Sequence, residues 1–188
     1  MDSHSDEQLM LAYVAGDVTA FESLYARYRG PLYRFILRRV KDPATANDMY
    51  QGSWEKIIKS RRTYRQEVPF KAWMYRIARN HVVDYFRRAP PPADEDVVEL
   101  ADTAERPDQL LEQVEAAAAL ARAIAQLPDE QQEALLLKLE GGLDLHEIAD
   151  VTGVSVETAK SRLRYALAKL RPLLQDPDKP AGNIHAQA

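Results

Sequence analysis

A chain of 188 residues with 46% apolar side chains is long enough for one medium domain or two small ones with real cores. It has no cysteine, which excludes a disulfide framework or thiolate metal site, and its four histidines (His4, His81, His146, His185) are too scattered to pair as helical metal ligands. Net charge is −4, yet residues 1–88 carry +6, residues 89–122 carry −7 and residues 123–188 carry −3, so a basic half precedes a short, strongly acidic segment.

Seven glycines and few runs of β-branched alternation point to an all-α protein. No apolar run approaches the roughly 20 residues of a membrane span. The N-terminus is acidic and polar and shows no signal peptide, so the expected compartment is cytoplasmic.

Residues 5–27 predict a helix pair broken at Gly16-Asp17, with Leu9, Leu11, Tyr13 and Val14, then Phe21, Leu24 and Tyr25, on the apolar face. A next segment from Gly30 turns Leu32, Phe35, Ile36 and Val40 inward and Arg34, Arg38, Arg39 and Lys41 outward. Pro43 opens a further helix, in which Met49, Trp54, Ile57 and Ile58 can pack while Asp48 and Gln51 point elsewhere. A polar, basic loop covers 61–69, and the last helix of this half spans 70–88.

That last helix interleaves Phe70, Trp73, Tyr75, Tyr85 and Phe86 with Lys71, Arg76, Arg79, Arg87 and Arg88. Rings beside cations suit single-stranded nucleic acid, because bases stack on the rings while phosphates pair with arginine. Aromatics at helical spacing are more often core, so Phe70, Trp73 and Ile77 taken singly read as packing. The cations, taken with the loop before them, read as a nucleic-acid surface.

Arg87-Arg88-Ala89 followed by three prolines cannot continue a helix, and the acidic stretch after it is low in bulky residues, which marks an extended or disordered linker over 89–122. Its acidity either keeps the segment solvated, the simpler reading, or lets it mimic nucleic acid in a basic channel. A helix resumes near Pro107-Asp108 and runs to Leu127. Leu127-Pro128 breaks it, and another helix runs from Asp129 to Gly141-Gly142.

Residues 144–171 read as a helix-turn-helix. Asp144 can cap the first helix, with Glu147 as its capping-box partner, and Leu145, Ile148 and Ala149 share a face. Gly153 can end that helix in the left-handed conformation, Val154 can plug the turn, and Ser155 can cap the second helix. In the second helix Val156, Ala159, Leu163, Ala166, Leu167 and Leu170 form the expected buried stripe. Off it lie Thr158, Lys160, Ser161, Arg162, Arg164, Lys169 and Arg171, placed to meet base edges or phosphates. The plainer alternative is a helical hairpin with a solvated basic face; the agreement of caps, small residue, glycine and charge asymmetry favours DNA.

Three separated blocks, residues 21–57, 70–88 and 127–171, resemble the extracytoplasmic-function, or group IV, sigma factors of bacterial RNA polymerase, in the order found there. The resemblance covers about residues 7–174 and implies two small helical domains joined by the acidic flexible linker. These are a sigma-2 domain over 5–88 and a sigma-4 domain with the helix-turn-helix over 123–174, followed by a disordered tail over 175–188. It implies three partners: the clamp helices and flap of core polymerase, promoter DNA, and an anti-sigma factor. No cofactor, metal or small-molecule ligand is implied, and the membrane only indirectly.

By the same resemblance, Ser155, Glu157, Thr158, Lys160, Ser161, Arg162 and Arg164 would address the −35 element. Arg61, Arg62, Tyr64, Arg65, Trp73, Arg76, Arg79, Asn80, Arg87 and Arg88 would hold the −10 element as it melts, the loop over 61–69 taking a flipped base. Asp48, Met49, Gln51 and Trp54 would dock on the polymerase clamp. Asn47 and Gly52 depart from the acidic residues usual at those two positions.

A self-sufficient helix-turn-helix regulator would need a symmetric dimer helix, and none is marked. A nucleic-acid enzyme would need paired carboxylates, a metal cluster or an activated nucleophile, and none appears. The chain is therefore expected to act without catalysing a reaction.

Overall fold

The computed structural model describes residues 4–88 and 117–175. Every regular element among them is helical. The acidic linker before residue 117 and the tail after Gln175 lie outside the described residues.

Helix α1 (Asp6–Val14) starts at a capping box: Ser5 Oγ accepts from Gln8 N at 3.2 Å, and Gln8 Oε1 accepts from Ser5 N at 3.0 Å. It buries Leu9 and Met10, while Leu11 and Val14, expected inside, stay exposed. Nine residues offer α2 one narrow stripe, and Leu11 stands about 100° round the helix from Met10. Gly16 turns the chain at φ +110°, and Asp17 opens the next helix by accepting from Thr19 N at 2.9 Å.

Helix α2 (Val18–Val40) runs unbroken through Pro31, where the sequence suggested a new segment. A proline inside a helix costs roughly 3 kcal/mol. Leu24, Leu32, Phe35 and Ile36 are all fully buried along this helix, and each such side chain contributes about 1.5–3 kcal/mol, so packing outweighs the break. The helix ends at Lys41 with φ 66°, its N–H donating to Leu37 O.

Asp42 caps α3 (Pro43–Ser60), accepting from Thr45 N at 2.8 Å with Pro43 in the first turn. A 3-10 turn (Arg61–Thr63) leads into a loop and then α4 (Phe70–Arg88). Phe70, Met74, Ala78 and Val82 seat α4 in the N-terminal core with Phe35 and Ile57.

The second unit holds α5 (117–125), α6 (Asp129–Leu139), α7 (Leu145–Thr152) and α8 (Val156–Gln175). Helix α5 lies within the helix expected to resume near Pro107-Asp108 and run to Leu127; it enters the stretch 117–122 that the domain division gave to the linker, and its Ala123 and Ile124 are buried. The capping box of α7 is formed, with Glu147 N to Asp144 Oδ1 at 2.8 Å and Asp144 N to Glu147 Oε2 at 2.7 Å. Gly153 takes φ 72°, and Ser155 Oγ accepts from Thr158 N at 3.1 Å. The buried stripe of α8 runs Ala159, Ala166, Leu170 and Leu173, while Leu167 is 58% exposed instead of buried. One residue beyond Ala166 turns a side chain about 100° away from the contact face.

The two units pack directly on each other. Helix α4 lies along α7, α2 touches α6, and α4 reaches α6 through the ion pair of Arg79 with Glu133. Arg39, expected to point outward, is 5% exposed, because Asp129 and Gln132 of α6 surround its guanidinium. Lys71 reaches Glu147 at 3.0 Å and Gly142 O at 2.9 Å. Arg34 and Arg38 share the Glu140 carboxylate at 2.7 and 3.3 Å.

Candidate nucleic-acid interface

The exposed face of α8 carries the expected reading residues. Ser155, Glu157, Thr158, Lys160 and Arg164 are exposed, and Ser161 and Arg162 are half-buried. The Ser155 and Thr158 hydroxyls are 2.8 Å apart within the cap, so both sit where backbone N–H groups already point outward. Glu157 pairs with Lys160 at 3.7 Å, and Arg164 lies 5.0 Å from the Tyr165 ring centre. Arg162 reaches back to Glu130 on α6 at 2.9 Å.

In the first unit, Arg62, Arg65, Asn80, Arg87 and Arg88 are exposed, and Arg61, Trp73, Arg76 and Arg79 are half-buried. Arg61 donates to Ile58 O at 3.0 Å and stands 5.7 Å from the Tyr13 ring centre. Arg79 is held by Glu133, Nε to Oε1 at 3.0 Å and Nη2 to Oε2 at 3.3 Å. Phe70 N donates to Glu7 Oε1 at 3.1 Å, so α1 caps the start of α4.

Two expected contact residues are interior. Tyr64 is 4% exposed: its hydroxyl donates to Val68 O at 2.9 Å, and its ring meets Trp73 at 5.3 Å and Phe70 at 6.1 Å. Burial, then the nearby Glu7, Asp6 and Glu67 carboxylates, push its phenol up to about 12. Tyr64 thus holds the loop's shape and offers no face for a base to stack on. Trp54 is 6% exposed, with ring centres of Tyr25 at 5.0 Å, Phe21 at 5.8 Å and Tyr50 at 6.3 Å. A ring so enclosed shapes α3 from within and cannot itself touch a docking partner.

Asp48 and Gln51 are exposed on α3, as expected. Met49 lines an open cleft of about 350 Å³ with Lys56, His81, Asp84, Tyr85 and Arg88. A Cβ on Gly52 would stand 2.5 Å from His81 Nε2, so any side chain there would have to displace the imidazole. Desolvation, then the Lys56 charge, lower the His81 pKa, with Asp84 opposing the shift and Arg88 adding to it.

Sequence reasoning missed the acidic side of this arrangement. Asp129, Glu130 and Glu133 stand within about one turn of α6, and their partners Arg39, Arg162 and Arg79 come from three other helices. The acids were visible at the start of α6, but nothing local marked their partners. No group of acidic or histidine side chains that could hold a metal occurs among the described residues.

A helix-turn-helix packed on a basic helical unit with a cation-rich final helix fits a DNA-binding protein of the helix-turn-helix class. Sigma-70 region 2 matches residues 24–90, and Sigma-70, region 4 matches residues 117–170. The ECF RNA polymerase sigma factor SigM of Mycobacterium tuberculosis is 33% identical over 173 residues, covering 90% of this chain and 85% of SigM. The RNA polymerase sigma-H factor of Pseudomonas aeruginosa is 31% identical over 193 residues, covering 94% and 99%. The solved structure of CnrH in complex with the cytosolic domain of CnrY shares the fold, with a TM-score of 0.68 at 23% identity, covering 94% of this chain and all of that one. The chain belongs to the extracytoplasmic-function RNA polymerase sigma factors.

Proposed function

We propose that this sigma factor binds core RNA polymerase, directs it to promoters through −35 and −10 elements, and helps melt the DNA. The single observation that carries the reading is the union of regions 2 and 4 in one chain, matched along nearly the full length of SigM. In this reading α8 enters the major groove with Lys160, Arg162 and Arg164 towards bases and phosphates. Arg62, Arg65, Arg76, Arg79, Asn80, Arg87 and Arg88 hold the opened strand, and Tyr64 and Trp73 brace that surface from behind. Asp48, Met49 and Gln51 meet the polymerase clamp, with Trp54 supporting them from inside.

The chain works as a transcription initiation factor and not as an enzyme; the polymerase supplies the chemistry. It acts in the cytoplasm, and no described helix is long and apolar enough to cross a membrane. An anti-sigma factor holds it inactive, as the family resemblance implies. Run-off transcription tests the reading: core polymerase plus this chain is expected to give specific transcripts from its promoter, and core alone none. Tight, specific binding to a palindrome without polymerase would overturn it.

A further inference from the structure

We propose that α1 is a brace for the loop over 61–69: it holds the loop at both ends, Glu7 at Phe70 and Tyr13 at Arg61, and so fixes where Arg62 and Arg65 stand for the opened strand. Glu7 and Tyr13 are then positioning residues for a strand they do not touch. The inference rests on the sigma-factor reading and goes beyond it, because no residue of α1 has a part in that reading.

The loop has little of its own to hold it on the protein. Arg62, Thr63, Arg65, Gln66 and Glu67 are exposed, and Tyr64 between them is buried. The described hydrogen bonds of the loop are local. Tyr64 N donates to Arg61 O at 3.3 Å, Val68 N to Arg65 O at 3.1 Å, and Thr63 Oγ1 to Ser60 O at 2.7 Å. The Tyr64 hydroxyl donates to Val68 O at 2.9 Å, and Arg65 Nη1 to Tyr64 O at 3.3 Å. Such bonds give the loop a shape, but its place on the protein comes from its two ends and from Tyr64.

Helix α1 reaches both ends. Pro69 has no side-chain acceptor for the first turn of α4, and the Phe70 N–H is one of the donors that a helix start leaves unpaired. Glu7 Oε1 takes it at 3.1 Å. Desolvation pushes the Glu7 carboxyl up, but the bonds from Phe70 N, its own N–H and Ser5, with the Lys71 charge, hold it below the usual glutamate range. It is therefore ionised at neutral pH, as the positive end of α4 favours. At the other end the Arg61 guanidinium lies 5.7 Å from the Tyr13 ring centre, within cation–π range, and its Nη1 donates to Ile58 O at 3.0 Å. Burial first, then the Glu7 and Asp6 carboxylates, push the Tyr64 phenol up, so the middle of the loop also lies near α1.

Glu7 and Tyr13 stand near opposite ends of α1, about 9 Å apart along its axis at 1.5 Å per residue. The helix therefore sets the separation of the loop's ends. It is itself fixed on α2. Asp6 accepts from Arg27 Nη1 at 2.6 Å and from the Tyr28 hydroxyl, Arg27 Nη1 donates to His4 O at 3.2 Å, and Leu9 and Met10 are buried. These contacts all lie within the first unit, clear of the seam where the two units pack. A helix that only completed the core would need Leu9 and Met10; here two half-buried side chains also meet opposite ends of one exposed loop.

The test uses holoenzyme assembled from core polymerase and the full chain. Strands enriched on it from a random single-stranded pool of about 20 nucleotides supply the probe. The measured quantity is the ratio of affinity for the best strand to affinity for the unselected pool. Glu7→Ala with Tyr13→Leu is expected to lower that ratio about fivefold and to leave the affinity of the chain for core polymerase unchanged. Glu7→Gln with Tyr13→Phe is expected to keep it, since an amide oxygen still accepts from Phe70 N and a ring still faces Arg61. An unchanged ratio with helicity intact would overturn the brace. So would a fall in core affinity by the same factor, which would make α1 a structural support alone, and so would a pool that enriches no base. Should the first pair fail to fold, Tyr13→Leu alone decides by amide exchange: Tyr64 N and Val68 N must exchange faster than in the unsubstituted chain, and equal protection overturns the proposal. Run-off transcription by the unsubstituted chain separates the two claims. Transcripts with an unchanged ratio leave the sigma reading standing and sink the brace alone; no transcripts sinks the reading and the brace with it.

Discussion

Gly141 lies against Tyr75 across the seam: a Cβ built on Gly141 would stand 3.1 Å from Tyr75 Cε2 and 2.7 Å from Leu137 O. Tyr75 belongs to α4 and is fully buried, so neither ring nor backbone has room to yield. Gly141→Ala is expected to destabilise the chain by about 1–3 kcal/mol, as overpacking of a tight site does. Urea unfolding followed by circular dichroism measures it, and an unchanged midpoint would mean the turn after α6 can shift.

Asp129 makes the seam sensitive to acid. Desolvation would raise its pKa, but the hydrogen bond and charge of Arg39, with Lys41 and Arg79, hold the carboxyl below the usual aspartate range. A depressed carboxylate contributes stability that is present in full above its unfolded value near ~3.9 and lost as pH falls through the lower folded value. The seam should therefore loosen below about pH 4. Much of the side chain faces solvent, so the effect is screened and modest. Asp129→Asn is expected to flatten that acid limb in pH-dependent unfolding; an identical limb would assign it to other carboxylates.

Tyr64→Phe should remove one buried hydrogen bond to Val68 O and leave the ring packing on Trp73 and Phe70 intact. The expected loss is about 0.5–1.5 kcal/mol of stability, with weaker single-strand binding and unchanged affinity for core polymerase. Equal loss of both affinities in a titration would show that the loop serves docking as well.

Arg162→Ala should weaken binding to a duplex −35 element by about 1–3 kcal/mol where the side chain meets a base. A footprint of unchanged extent and affinity would confine Arg162 to its contact with Glu130.

The parts of the fold that sequence reasoning anticipated are those whose partners are neighbours in the chain. The Asp144 and Glu147 box closes over three residues, and Gly153 and Ser155 act within one turn of themselves. Arg39 shows the limit. Its helical phase put it outside, and only a partner 90 residues away buries it. Tyr64 shows another: an aromatic in a polar loop reads as a contact residue until Trp73 folds back to cover it. The same holds for Leu167, expected in the buried stripe, whose exposure depends on which face of α8 the other helices reach.

The described polar contacts of the seam all come from α6, α7 and the turn between them, and none involves a residue of α8. The residues proposed to read the −35 element and the polar contacts between the two units therefore lie on different helices. A chimaera that exchanges only the exposed residues of α8 for those of another sigma factor should acquire a new upstream target and keep the packing of its two units. One that exchanges the whole C-terminal unit would inherit a foreign α6, and that packing would depend on whether the helix carries acids opposite Arg39 and Arg79.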